Sequence, residues 1–320
     1  MTSQVKVAVL DDYQGVARRL GDWQRVADRV DLAVHTDRIA DEDELVRELA
    51  DCEVIVAMRE RTPFPRSLVE RLPALRLLVT TGPHNRSFDF AALRDAGVIV
   101  SATRFSLAPT VELTWALILA LSRYLVQEDR QMRNGGWQHT LGPQLGGSTL
   151  GLLGFGGMGQ AMARIAMVFE MRVIAWSANL DPARARASGV VPVSKEQLFL
   201  ESDFVSIHLV LSDRTRGLVG AADLERMKST AFLINTSRGP IVQERALTDA
   251  LMNRWIAGAG LDTYDVEPLP PDHVLRSLPN TILSPHIGFV SRSQYEMWYH
   301  DIVEDISAYL DGAPIRVIDR

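Results

Sequence analysis

Three side chains far apart in the chain, Arg238, Glu267 and His286, are of the types that carry out acid–base chemistry on a 2-oxo acid. An arginine fork matches a carboxylate bidentately. A histidine gives or takes a proton near neutral pH, and a carboxylate beside it favours the imidazolium. In a reduction, Arg238 would hold the substrate carboxylate and polarise the carbonyl. Hydride would arrive at C2, and His286 would protonate the oxygen. In the opposite direction neutral His286 would take the hydroxyl proton. Each residue also has a plainer reading. Arg238 in "SRGP" caps a turn, Glu267 is a solvated loop residue, and His286 after Pro285 is a satisfied loop histidine. Their positions decide between the readings. "AFLINTSRGP", "GAGLDTYDVEP" (which also carries Asp262) and "TILSPHIGF" are apolar runs that end in these groups. In an open parallel sheet the carboxyl ends of the strands line the ligand crevice.

A second motif points to the same crevice. "TLGLLGFGGMGQAMA" places Gly154, Gly156 and Gly159 as G-x-G-x-x-G between an apolar run and a helical stretch. Gly154 permits the tight turn, Gly156 lets backbone approach a pyrophosphate, and Gly159 lets helix and strand pack closely. Phosphates would sit at the helix N-terminus, where N–H groups and the dipole favour anions. The next strand, "RVIAWS", ends at Ser177, where an acid would bind the ribose diol and repel a 2′-phosphate. Ser177 does neither strongly, so NAD and NADP both fit. Asp181 in "DP" reads as a helix N-cap followed by a first-turn proline.

The elements that must position these groups alternate along the chain. "VKVAVL", "DLAVHT", "CEVIVAM", "LRLLVTT" and "VIVSA" are strand-length runs separated by amphipathic helical stretches. A helix is expected over 109–134, followed by a second series of strands from Thr149 and a last helix over 291–311. This alternation predicts parallel sheets covered by helices, an α/β fold. The nucleotide unit spans 108–288, and the chain before it forms a separate domain with the chain after it. The first loop, "DDYQG", is not glycine-rich, so the first domain is not expected to hold a dinucleotide.

Composition fits a water-soluble two-domain protein: 320 residues, 47% hydrophobic, 23% charged, net charge -6. Scattered basic residues argue against nucleic-acid binding. The single cysteine, Cys52, excludes an internal disulfide and reads as a packing residue. No signal-peptide pattern or membrane span is apparent, which predicts a cytoplasmic protein without membrane partners. No metal-ligand motif was found.

At "GLLGFGGMG", "VSIHLVLSDRTRGLVG", "LINTSRGPIVQERAL", "AGAGLDTYDVEPLP" and "SPHIG", in this order and spacing, the chain resembles the D-isomer-specific 2-hydroxyacid dehydrogenases. The resemblance covers nearly the whole chain. It implies two parallel-sheet domains: a Rossmann NAD(P)-binding domain, 108–288, inserted into a flavodoxin-like substrate domain, 1–107 and 289–320. It also implies roles. Arg238 is the substrate-carboxylate and carbonyl-binding arginine, His286 the acid/base, and Glu267 its partner. Gly154, Gly156, Gly157, Met158, Gly159, Ser177, His208, Thr236, Ser237, Arg238, Asp262, His286 and Gly288 match cofactor-contact positions, with Asp262 on the nicotinamide carboxamide. "LVTTGPHNRSFD" resembles the loop whose backbone, around Thr81 and Gly82, grips the substrate carboxylate, in a cleft that closes between the halves. Arg59 and Arg61 lie in a loop that can face the substrate. Trp137 resembles an aromatic that crosses a dimer interface, with core packing as its alternative, and the family implies a homodimer. "HIGF" replaces the common "HIGG", so Phe289 either alters the pocket or packs. With the sequence ending at 320, the C-terminal regulatory domain of phosphoglycerate members is not expected.

Other oxidoreductase classes fit less well. No tyrosine is followed by lysine four residues later, as short-chain dehydrogenases require. L-specific dehydrogenases carry the glycine turn near the N-terminus. Formate dehydrogenase, a relative, resembles the pattern with glutamine where Glu267 stands. The alternative from a different class is a non-catalytic, NAD(H)-sensing corepressor-like protein on the same fold.

Overall fold

The computed structural model describes residues 4–319. Two units account for them: the chain up to Ser106 together with the chain from Val290 onward, and Leu107–Phe289.

In the first unit the strands are β1 (Val5–Val9), β2 (Val30–Val34), β3 (Val54–Ala57), β4 (Leu77–Thr80) and β5 (Ile99–Ala102), in the order β2-β1-β3-β4-β5. Every neighbouring pair is parallel. β3 and β4 are buried along their whole length, as their unbroken apolar runs require of strands covered on both faces. Leu45, Leu49, Ile55, Phe64, Leu68 and Leu78 belong to the core on one side. The helix Arg292–Leu310 joins this unit through Trp298, whose indole N–H donates to the Arg104 carbonyl at 2.9 Å. Beyond it the chain pairs with the outer edge of β5: Ala102 N–H donates to Arg316 O (3.0 Å) and Ile318 N–H to Val100 O (2.8 Å). That pairing covers an otherwise open edge.

β6 (Thr149–Leu153), β7 (Arg172–Trp176), β8 (Val191–Pro192), β9 (Phe204–Ile207), β10 (Phe232–Asn235), β11 (Gly258–Leu261) and β12 (Thr281–Leu283) form the second sheet. Their order is β12-β11-β10-β9-β6-β7-β8, all parallel. The chain runs outward from β6 to β8, then returns to β9 on the other side of β6. This reversal creates the topological switch point at which open α/β sheets bind ligands. Two apolar clusters cover the sheet, one including Leu198, Val205 and Leu247, the other Ile118, Leu152 and Met162.

Two elements depart from expectation. The helix expected over 109–134 is two helices, Ala108–Ser122 and Leu125–Arg133. At the break the Ser122 hydroxyl donates back to Leu119 O (3.0 Å), and Tyr124 turns to φ +50°, its ring edge-on to Phe232 at 6.2 Å. A hydroxyl that competes for a helix carbonyl weakens the turn, and the aromatic contact fixes the new direction. β8, with two residues ending in proline, is too short to show a period in sequence.

Candidate active site

The glycine turn stands at the carboxyl end of β6. Gly154 has φ +106°, and a Cβ there would lie 2.4 Å from the His208 carbonyl oxygen, so no other residue fits without displacement. Gly156 is the N-cap of the twelve-residue helix Gly157–Val168, and a Cβ built on it meets nothing within 4 Å. The backbone there faces open space at a helix N-terminus, the arrangement a pyrophosphate needs. Gly159 is buried against the Gly154 carbonyl, and Met158 packs on the core. These residues fit a dinucleotide cofactor. Ser177 directly follows β7, while Asp181 is confirmed as a cap, accepting from Ala183 N–H at 2.9 Å.

His208, directly after β9, shares a 2.8 Å hydrogen bond with the Ser206 hydroxyl. Burial pushes its imidazole pKa down, which favours the neutral ring. After β10, the Thr236 hydroxyl meets that of Thr114 at 2.8 Å, and Ser237 donates to Leu209 O at 2.5 Å. Thr114 donates to Thr110 O, so its contact with Thr236 is one in which Thr236 donates. The Thr114 link was not legible in sequence, because the helix carrying it carries no catalytic motif.

Arg238, Glu267 and His286 come from the segments after β10, β11 and β12, three adjacent strands. His286 Nδ1 lies 2.5 Å from Glu267 Oε2, with 27% and 33% of the two side chains exposed. Glu267 Oε1 accepts the Tyr264 N–H at 2.9 Å, which fixes the carboxylate plane. Burial alone would push the Glu267 carboxyl pKa up. The hydrogen bond and charge of His286, the Tyr264 N–H and the Arg238 charge outweigh it and hold the carboxyl below its ordinary 4.5. The pair therefore sets an ionised carboxylate against Nδ1 and leaves Nε2 as the second ring nitrogen. Arg238 is half-buried, its Nη1 donating to Ser237 O at 2.8 Å, while the Asn235 amide holds the Arg238 carbonyl at 3.0 Å. The Phe289 ring packs edge-on to the imidazole, 5.6 Å between centroids.

Asp262, immediately after β11, is 1% exposed. Its carboxylate accepts from Ile287 N–H (2.8 Å), Gly288 N–H (2.8 Å) and the Ser284 hydroxyl (2.6 Å). Sequence reasoning did not identify Ser284 or this connection. Burial raises the Asp262 pKa against those donors.

In the first unit, Arg59 has φ +54°, donates from Nη1 to Thr81 O at 2.9 Å, pairs with Glu60 at 3.7 Å and lies over the Phe105 ring. Thr81 N–H donates to Ala57 O (3.2 Å) and Gly82 N–H to the Thr103 hydroxyl (2.8 Å). Both N–H groups expected to face a carboxylate thus have partners inside the unit. Arg61 lies over the Tyr13 ring at 4.1 Å and donates to Asp11 O. Trp137 is 71% exposed and packs in no core. Among the described residues no helix is long and apolar enough to cross a membrane.

Comparison with known proteins gives a consistent picture. Residues 115–288 match the model of the D-isomer specific 2-hydroxyacid dehydrogenase NAD-binding domain. The chain is 34% identical over 275 residues to a glyoxylate reductase of Korarchaeum cryptofilum, covering 84% of this chain and 82% of that one. It is 32% identical to a hydroxypyruvate reductase of Thermotoga maritima, covering 83% and 87%. Among solved structures, phosphoglycerate oxidoreductase from Vibrio cholerae superposes with a TM-score of 0.91 at 34% identity, covering 97% of this chain and all (100%) of that one.

Proposed function

The chain belongs to the D-isomer-specific 2-hydroxyacid dehydrogenase family, an NAD(P)-dependent enzyme that interconverts oxo and hydroxy acids, and we propose that Arg238, Glu267 and His286 carry its reaction. The observation that carries the proposal is the 2.5 Å pair of His286 Nδ1 and Glu267 Oε2. Donation of Nδ1–H to an ionised carboxylate fixes the ring and leaves the second proton of the imidazolium on Nε2. Arg238 binds the carboxylate of the 2-oxo acid and polarises its carbonyl through the planar guanidinium. The reduced nicotinamide, when bound, supplies the hydride to C2. The carbonyl π electrons pass to oxygen, and His286 delivers its proton there, becoming neutral. In oxidation His286 removes the hydroxyl proton and Glu267 stabilises the resulting charge.

Gly154, Gly156, Gly157, Met158 and Gly159 are assigned to the pyrophosphate, Ser177 to the ribose, and His208, Thr236, Ser237 and Gly288 to the remaining cofactor contacts. The open space at Gly156 supports the first assignment. Arg59, Thr81 and Gly82 are assigned to the substrate on the family resemblance alone. The reading includes a cytoplasmic homodimer, for which the exposed Trp137 and Leu141 supply apolar surface.

The test follows reduced-nicotinamide absorbance with a panel of 2-oxo acids, with NADH and NADPH in parallel, and determines product configuration. Turnover to a D-2-hydroxy acid is the expected result. Demonstrated cofactor binding with no turnover across the panel would favour a nucleotide-sensing protein and contradict the assignment. The ratio of the two cofactors reads the Ser177 position directly.

A further inference from the structure

His286 occupies the left-handed region at φ +53°, a conformation that costs a non-glycine residue free energy unless its surroundings hold it. What holds it is on the neighbouring strand. The two N–H groups that follow His286, on Ile287 and Gly288, donate to separate oxygens of one carboxylate, Asp262 Oδ1 and Oδ2, each at 2.8 Å. Ser284, two residues before His286, donates its hydroxyl to Oδ1 at 2.6 Å. The carboxylate therefore grips the turn on both sides of the catalytic histidine.

Its own mounting is rigid. Asp262 N–H donates to Asn235 O at the end of β10, and Ser284 N–H donates to Leu261 O at the end of β11. The Tyr264 hydroxyl donates to Ser284 O at 2.9 Å, and the same Tyr264 presents its N–H to Glu267. On the far side, Thr110 Oγ1 donates to Gly288 O at 3.0 Å. β11 lies between β10 and β12, so the clamp is fixed to the interior of the sheet.

Resting on the reading of His286 as the acid/base, we infer that Asp262 is a positioning residue that sets the His286 turn, and that this, rather than retention of the nicotinamide carboxamide, is its main contribution. A carboxylate is required because both oxygens must accept. An asparagine would present an N–H to one of the two backbone donors.

Two roles separate by what they move. A clamp acts on the geometry of proton transfer, and a misplacement of about 1 Å there costs about a hundredfold in rate. A carboxamide contact acts on cofactor affinity. The experiment compares wild type, Asp262→Asn and Ser284→Ala. It measures kcat at saturating NADH and 2-oxo acid, NADH Kd by fluorescence without substrate, and amide hydrogen exchange over 284–288. Expected for Asp262→Asn is a fall in kcat of about a hundredfold, NADH affinity within about threefold, and faster exchange at Ile287 and Gly288. Ser284→Ala, which removes one of three donors and leaves the charge in place, falls in the same direction by less. It also carries the test if Asp262→Asn does not fold.

Unchanged amide exchange in the folded variants would overturn the clamp. So would a weakened NADH affinity with kcat preserved at saturation, which is the carboxamide signature. The exchange and affinity measurements need no substrate. Failure of the dehydrogenase reading would instead appear as a wild-type protein without turnover, with the exchange result still deciding the role of Asp262.

Discussion

After β1 the chain turns into a helix through Asp11 and Asp12, and after β6 it turns into a helix through Gly154, Phe155 and Gly156. Both turns stand at the carboxyl end of a strand inside a parallel sheet. In the first, Asp12 Oδ2 accepts the Ala17 N–H at the helix start at 2.8 Å, and Asp11 accepts the Thr62 hydroxyl at 2.7 Å. The protein's own carboxylate fills the place where a helix start attracts an anion. In the second, the cap is a glycine with open space beside it, at the head of a helix three times as long, twelve residues against four. The same supersecondary unit is closed in one domain and left open in the other. Fold alone does not distinguish them; the side chains at the turn do.

The difference can be broken from the active side first. Arg238→Ala is expected to lower kcat/KM by about a thousandfold. Arg238→Lys should hardly recover it, because an ammonium lacks the planar fork. Steady-state kinetics on the panel substrate check this, and wild-type kinetics in either variant would remove Arg238 from its role.

Glu267→Gln comes next, with a fall in kcat of about a hundredfold at neutral pH. Its pH dependence has a definite sign. The Glu267 pKa is held below its ordinary 4.5 in the folded protein, so the carboxylate is fully present above that value and is lost only as pH falls through the lowered one. The acid limb of the wild-type rate profile should therefore lie below 4.5, and the glutamine variant should lack it.

Gly154→Ala sharpens the contrast between the turns. The added methyl meets the His208 carbonyl at 2.4 Å and the φ of +106° is strained for alanine. A strain of about 1–3 kcal/mol at this turn should weaken NADH binding by about tenfold or more. Asp12→Ala, the matching change in the other domain, removes a buried acceptor at a helix start. It should cost about 1 kcal/mol of stability, read as a lower thermal midpoint, with NADH affinity unchanged. A loss of NADH affinity in Asp12→Ala would dissolve the distinction between a closed and an open turn.

Much of this contrast was legible in sequence. "GFGGMG" and "DDYQG" differ in the residue type that matters, and the apolar runs that lead to Arg238, Asp262 and His286 are β10, β11 and β12, which end one to three residues before those groups. Two kinds of feature were not legible. The helix break at Tyr124 depends on a tertiary contact with Phe232, which no local pattern encodes. The clamp by Asp262 joins residues more than twenty positions apart through backbone N–H groups, which every residue but proline carries and which therefore leave no compositional signal. In Thr81 and Gly82 the motif was visible, but the internal partners of their N–H groups, Ala57 and Thr103, were not.

In the proposed reaction His286 moves the proton while the glycine turn holds the cofactor. One measurement tests it most directly: kcat of His286→Ala at saturating NADH and 2-oxo acid, with the NADH Kd of the same preparation. The account predicts a fall in kcat of about 10²–10⁴-fold with Kd within about threefold of wild type. A variant that binds NADH normally and turns over at the wild-type rate would contradict it.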